Sequence, residues 1–493
     1  MRYLAFLYAI FLTVLSITTV GCDQSSIVPA TEGVTPDKKI TVPVREVTEY
    51  LLFESDYPVS YQWYASPDLK RVAYAVTSGD KQFVVVDGIE DEHYDEVKLQ
   101  RDPFSPDSQH IKYSARSSSE WFGVVDGVKA NAGIFSPDSS RIAGIHREGD
   151  KMHIVVDGAA GREHTGMDFN YTRYLVFSPD SQRIAFVGVI SLEENQKCLA
   201  VIDYTPGRIY DDVWEIIFSP DSQHSAYIAT WQGERFVVLD GEEGEKYDHV
   251  NRLNVVFSPD SQHVAYIAAS EGKYFAVIDG VEGKRYDFAQ DIVFSPDSQH
   301  VAYMADDYLV VDGIEQKAPG GGYDVRFSPD SQRLAYMGCK GGFWGNITGF
   351  WVVIDGRKEN TYDSVRDVVF SPDSRRVAYV AATEEDNDIY KYFMVVDGME
   401  GKLFDWIEGT PSFSPDSKWV AYAARQGDKA VVVVNGVAGH QYDEIIFPEG
   451  GIIYRSKAHL AYQEARIPFD SPNSFYYIAV RGTSVFLVEE HIQ

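Results

Sequence analysis

The tripeptide Ser-Pro-Asp begins at Ser66, Ser105, Ser136, Ser178, Ser219, Ser258, Ser295, Ser328, Ser371 and Ser414, ten times at spacings of 31 to 43 residues. A period of about 39 residues marks a repeat architecture, so the 493-residue chain is not read as several unrelated domains. Within one period, residues 290–324, an apolar run ending in Phe294 meets Ser-Pro-Asp-Ser, a second run follows at 301–304, and a third at 309–311 ends in Asp312-Gly313. Pro suits the second position of a type I turn, and Asp and Ser bond to turn amides. Asp-Gly between strand-like runs is a hairpin signal. With a weaker fourth strand expected around Tyr323, each repeat predicts a four-stranded antiparallel meander. An eleventh, decayed copy is read at Ser456-Lys457-Ala458-His459-Leu460-Ala461-Tyr462.

Four-stranded units of about 40 residues are the size of β-propeller blades. The Phe-Ser-Pro-Asp-Ser…Val-Ala-Tyr core resembles the WD-repeat-like repeat of TolB-type propellers over about residues 57–493. Two departures stand out: Ser follows the Asp where that family often has Gly, and the α/β domain that precedes the TolB propeller has no room between Cys22 and Tyr57. The fold expected is all-β, with about eleven blades over 41–493. Because propellers typically have 4–8 blades, two tandem propellers are expected, with one ring of ten or eleven blades as the alternative. The segment Glu49-Tyr50-Leu51-Leu52-Phe53 is a candidate for the extra strand that closes a terminal blade.

Residues 1–21 read as an export signal: Met1-Arg2, an apolar run over 4–17, then Thr19-Val20-Gly21-Cys22. This end is similar to the cleavage box of bacterial lipoproteins, apart from Thr19 where an aliphatic residue is usual. The resemblance implies cleavage before Cys22, a lipid on its thiol, and a cell-envelope location. Residues 22–40, rich in Ser, Thr, Pro and Gly, read as a tether of roughly 20–25 Å reach.

With 44 Lys+Arg against 74 Asp+Glu, the formal charge of −30 argues against binding nucleic acid. In a meander, the Ser-Pro-Asp-Ser and Asp-Gly turns share one face, and their near identity is what turn chemistry requires. Aspartates such as Asp87, Asp240 and Asp312 are therefore read as hairpin residues and not as calcium ligands. The Tyr-Asp pairs at Tyr247, Tyr286 and Tyr362 are read as architectural too. His110, His224, His263 and His300 share a slot with Arg and are read as exposed turn positions.

Variable sequence falls on the opposite face, where a rigid scaffold carries its binding loops. Phe343 and Trp344 lie in a Gly-rich loop, an acidic loop spans 383–388, and a third surrounds Pro468-Phe469-Asp470-Ser471-Pro472. Trp214, Trp231 and Trp406 lie near this face, either exposed for a partner or wedged between blades. Glu215, Asp291, Asp324 and Asp367 stand three residues before the motif Phe, on strands that line the channel. They are either solvated link residues or an acid–base set. No nucleophile elbow, zinc helix or phosphate loop occurs. Cys198 and Cys339 are read as buried thiols.

The reading is a lipid-anchored, extracytoplasmic, non-catalytic scaffold for a protein or cell-envelope ligand, without cofactor or metal. The competing one is a glycan- or peptide-acting enzyme using the four carboxylates. Cys22→Ala is expected to abolish incorporation of radiolabelled lipid in intact cells; undiminished labelling would exclude the anchor.

Overall fold

The computed structural model describes residues 43–493 except 58–62, 100–101, 131–132, 149–150, 158, 161–168, 170, 193–194, 252–254, 319, 341–348, 387–388 and 448–465. Every regular element among the described residues is a β-strand. The strands pair as eleven antiparallel blades, at 63–90, 96–130, 134–160, 171–206, 212–243, 249–282, 289–317, 322–362, 364–400, 406–442 and 444–492. The last blade borrows its outermost strand, Arg45–Glu54, from the other end of the chain.

The repeated turn explains both the hairpin and the ring. The first Ser is buried, and its hydroxyl donates to the Asp carboxylate two residues on at 2.5–2.7 Å. The same hydroxyl accepts the amide five residues on, which closes the hairpin. The second Ser takes a left-handed φ of 62 to 66°, a conformation Gly adopts at no steric cost. Its hydroxyl repays that cost by accepting the Asp amide of the preceding blade. The bond repeats at 2.8–3.0 Å across nine consecutive seams, from Asp68 N–H to Ser108 through Asp373 N–H to Ser417. In blade 1 this position is Leu69, fully buried against blade 11, whose sequence lacks the Ser-Pro-Asp that would supply the donor.

Asp-Gly closes the outer hairpin with both residues at positive φ, as in Asp312 (49°) and Gly313 (77°). One Asp oxygen accepts a second-strand amide, as Asp312 does from Val301 at 2.9 Å. The other meets the His or Arg of the shared slot: His300 Nδ1 lies 2.7 Å from Asp312, and Arg333 Nε 2.8 Å from Asp355. Arg goes further, donating to two carbonyls of the next blade; Arg333 reaches Ser374 and Arg375 at 2.8 and 2.9 Å.

On the opposite face the Asp of Tyr-Asp links blades again. Asp443, after Tyr442, takes Lys429 of its own blade and the Gly482 amide at the next blade's second-to-third turn. Neighbouring blades otherwise pack through apolar clusters, such as Ala265, Ile267 and Ala276 against Tyr286, Tyr303 and Val310.

Closure is one event, at one place. Among the described residues the only strand that pairs far from its neighbours in sequence is Arg45–Glu54, which zips along Ser484–Ile492. Blade 11 also packs on blade 1, through Ile478 and Val480 against Trp63, Tyr74 and Phe83. Two tandem propellers would need two closures and an unpartnered seam between them, so the expected pair is replaced by the alternative, one eleven-bladed ring, with Glu49–Phe53 in the closing strand as expected. Two strand assignments also change. In blade 7 the fourth strand is Ile314–Lys317, and Tyr323 belongs to the first strand of blade 8, because the Asp-Gly hairpin needs no longer arm. In blade 11 the second strand is Ser474–Arg481, hairpinned to Phe469–Ser471 through Pro472-Asn473, while 456–462 lies outside the described residues. The Pro468–Pro472 stretch is therefore a first-to-second turn and belongs to the conserved face.

The closing strand is pinned by charge. Arg45 donates to both oxygens of Glu490 at 2.6 and 2.7 Å, to the Val432 carbonyl at 3.1 Å and to the Val437 carbonyl at 2.9 Å, while Tyr477 donates to Glu490 at 2.7 Å. Glu490 is fully buried. Arg45→Met strands that carboxylate and is expected to cost about 3–5 kcal/mol in urea unfolding. Arg45→Met/Glu490→Met is expected to lose less; equal losses would show that the ion pair does not hold the closure.

Candidate functional site

The first strands of several neighbouring blades contact one another, those of blades 7 and 8 and of blades 9 and 10 among them, where they converge on the ring's centre. Their pairing with the second strand slips at one place, a bulge between Gln290 and Val293, Tyr323 and Arg326, and Arg366 and Val369. Asp291, Asp324 and Asp367 sit in these bulges with φ of 55–56°, and Tyr174 holds the same place in blade 4 at 55°. A bulge re-aims one side chain out of the pleat, which is how three consecutive blades present carboxylates in one register.

Three of the four expected carboxylates come together. The Asp324 amide donates to Asp291 Oδ2 at 3.0 Å, and Arg326 Nε donates to Asp324 at 2.9 Å. Asp367 is paired with Arg366 and also feels the charges of Arg326 and Asp324. Burial raises the Asp291 carboxyl above its ordinary range, with the Asp324 amide opposing. Burial raises Asp367 as well, against the Arg366 charge. Glu215 stays apart, exposed in blade 5. The set is thus half neutralised: two arginines and a backbone amide occupy the carboxylates.

Further round the ring lies a group that sequence inspection missed. Glu408, on the first strand of blade 10, is 3% exposed and pairs with Arg425, which also pairs with Glu444 of blade 11. Burial pushes the Glu408 carboxyl up to about 7, with the Arg425 charge opposing and Glu444 assisting. Its only sequence signal is a Glu where sister first strands carry varied residues. A cavity of about 530 Å³ lies near this strand, lined by Phe370, Thr410, Pro411, Phe413, Ile467 and Phe469 among others; none of the carboxylates above lines it.

The three tryptophans are half-buried between blades, each under a cation. Trp214 packs on the seam of blades 5 and 6 with Arg173 5.6 Å from its ring. Trp231 has Lys197 at 5.8 Å and Arg208 at 5.9 Å, and Trp406 has Tyr392 at 4.5 Å and Arg366 at 5.2 Å. Phe343 and Trp344 lie outside the described residues, as does Cys22. The acidic loop is described as far as Asp386, where it continues the strand Val377–Asp386. Cys198 and Cys339 are buried free thiols; burial raises both. No group of three or more His, Cys, Asp or Glu arranged for a metal occurs among the described residues.

No protein-family model matches the chain, and no curated protein matches its sequence. Solved structures similar to it include a eukaryotic initiation factor, at 11% identity and a TM-score of 0.37 over 70% of this chain and 92% of that one. TolB from Acinetobacter baumannii matches at 13% identity and 0.24, over 75% and 87%. The β-propeller domain of the trilobed protease from Pyrococcus furiosus matches at 12% and 0.27, over 67% and 96%. TolB and other propeller proteins are thus among its structural neighbours, at scores that say nothing of activity. The propeller assignment rests on this chain's own strand pairing.

Glu408 gives the site a pH signature. Its folded pKa of about 7 lies above its ordinary 4.5, so its contribution to stability is full below about pH 4.5 and is lost as pH rises through 7. The loss is about 3 kcal/mol. Glu408→Gln is expected to lack that slope, so that the difference between wild-type and variant stability varies with pH between 4.5 and 7.5; parallel curves would contradict it.

Proposed function

We propose that the protein is a non-catalytic binding scaffold of the cell envelope, anchored by lipid on Cys22 and presenting a protein or envelope ligand to the variable face of its ring. One observation carries this reading: the polar residues that recur from blade to blade are spent on turns and seams. The Ser-Pro-Asp-Ser hydroxyls, the Asp-Gly carboxylates and the slot histidines are bonded to backbone amides or to one another. What differs between blades is the sequence of the second-to-third loops, and a rigid ring with variable loops is the arrangement binding proteins use. The lipid anchor and envelope location rest on residues 1–22 of the sequence.

The competing enzymatic reading rests on Asp291, Asp324 and Asp367, which do share a register. Acid–base chemistry needs a carboxylate free to exchange a proton with a substrate, and here the nearest partners are Arg326, Arg366 and an amide. Fold likeness cannot choose between the two readings.

Crosslinking pulldown from intact membranes tests the binding face. Phe343→Ala/Trp344→Ala is expected to lose partners that wild type and an Asp291→Asn/Asp324→Asn/Asp367→Asn variant both retain. Identical partner lists for wild type and the loop variant would remove the loop from the site. Loss confined to the triple Asn variant would move the site to the channel.

A further inference from the structure

Ten of the eleven blades place an aromatic ring at one register of the second strand, where it packs on the blade before. Tyr113 meets Tyr94, Tyr266 meets Tyr247, and Tyr379 meets Tyr362, at 6.3–6.4 Å between centroids. The residue just before it is usually Ala, as at Ala265, Ala302 and Ala378, fully buried against the blade that follows. Small against large is what a seam between tilted sheets requires.

Between blades 2 and 3 both residues are exchanged. Lys112 stands at the alanine register and Gly144 at the tyrosine register: Lys112 pairs with Val125 and Gly144 with Val155, as Ala265 pairs with Ile278 and Tyr266 with Val277. Lys112 is 7% exposed. Its ammonium donates to the Gly133 carbonyl at 2.8 Å and lies 5.2 Å from the centroid of Phe135, both in blade 3. Gly133 in turn lies against Gly144, since a Cβ on Gly133 would meet the Gly144 Cα at 2.7 Å. The lysine head and two glycines occupy the place an aromatic pair holds elsewhere. Burial lowers the ammonium's pKa to about 8, with the Asp102 charge opposing. The slot residue here is His110, which bonds to its own Asp126 and crosses the seam only by a ring contact with Phe135 at 6.4 Å, whereas Arg71 and Arg141 in the flanking blades donate hydrogen bonds to carbonyls of the next.

We propose that the ring opens first at the seam between blades 2 and 3, so that this joint, and not the N-terminal closing strand, is where the closed ring breathes. Separation there returns a desolvated ammonium to water. Among the described residues no cluster of buried apolar side chains spans this seam, as the packing of Tyr94 and Tyr113 spans blades 1 and 2 and that of Phe169 and Phe186 spans blades 3 and 4. Release of Arg45–Glu54 would instead break a ladder running from Arg45–Ile492 to Glu54–Ser484 and uncover Glu490. Opening at this joint leaves each blade's own ladder intact.

The Asp107 amide, whose bond to Ser139 Oγ at 2.8 Å crosses the seam, reports directly. In the full chain, hydrogen exchange read by fragmentation mass spectrometry is expected to be at least tenfold faster at Asp107 than at the same-register amides of Asp260 and Asp330, and faster than along Arg45–Glu54. Lys112→Ala/Gly144→Tyr, which supplies the residues of the sister blades, is expected to slow Asp107 exchange at least tenfold and leave Asp260 unchanged. Should that variant not fold, Lys112→Met, which keeps the volume and removes the charge, is expected to slow it in the same direction. Exchange fastest at the closing strand, or an Asp107 rate that neither variant changes, would overturn the proposal.

Discussion

One hydrogen bond sets the terms for the whole ring: the amide of the turn Asp donating to the hydroxyl of the second turn Ser in the next blade. It fixes the spacing and tilt of each blade relative to its neighbour, and because it recurs with nearly the same length at nine seams, it propagates one geometry around the circle. Eleven blades divide a full turn into steps of about 33°, smaller than in the usual 4–8-bladed propeller. A small step suits the pairing of Ala on one face with Tyr on the next, which makes a thin seam. Each such bond contributes only about 1 kcal/mol net. Repetition, with apolar clusters behind it, makes the ring a single cooperative object.

That economy also explains the chemistry of the two faces. The conserved face is saturated, because its Ser, Asp, His and Arg groups satisfy one another and the turn amides. The channel wall is where the repeat relaxes: Tyr174, Glu215, Asp291, Asp324 and Asp367 occupy equivalent places with different side chains. A register held by backbone geometry, with free choice of side chain, lets charge be placed without disturbing the scaffold. The present choices leave most of the charge internally compensated, by Arg326, Arg366 and Arg425.

Local features of the fold were legible in the sequence, because turn chemistry is local. Ser-Pro-Asp-Ser and Asp-Gly mark their hairpins wherever they occur, and the closing strand at Glu49–Phe53 was visible as an apolar run without a turn of its own. Blade number per ring was not legible, because nothing within a repeat states how many neighbours it has; that follows from the tilt at each seam. The last blade was misplaced because 456–462 copies the Val-Ala-Tyr echo while the true second strand, Ser474–Arg481, carries Tyr477 without the motif. The carboxylates were half legible. Their register could be counted from Phe294, Phe327 and Phe370, but their arginine partners, and the Glu408–Arg425–Glu444 group, depend on neighbouring blades meeting in space. The Lys112 and Gly144 exchange was in plain view as a broken Val-Ala-Tyr in two consecutive repeats, yet it acquires meaning only once the two are known to face each other.

The central claim is that Ser, and not Gly, follows the Asp because its hydroxyl ties one blade to the next. The most direct measurement is the urea unfolding of variants that replace this Ser by Ala, at Ser261, Ser298 and Ser331 singly and together. Ala keeps the Cβ, and so the cost of the left-handed φ, and removes only the hydroxyl. The account predicts a loss of about 1 kcal/mol per site, summing across the three. Unchanged stability in the triple variant would show that the hydroxyl is incidental and that the seams are held by packing alone.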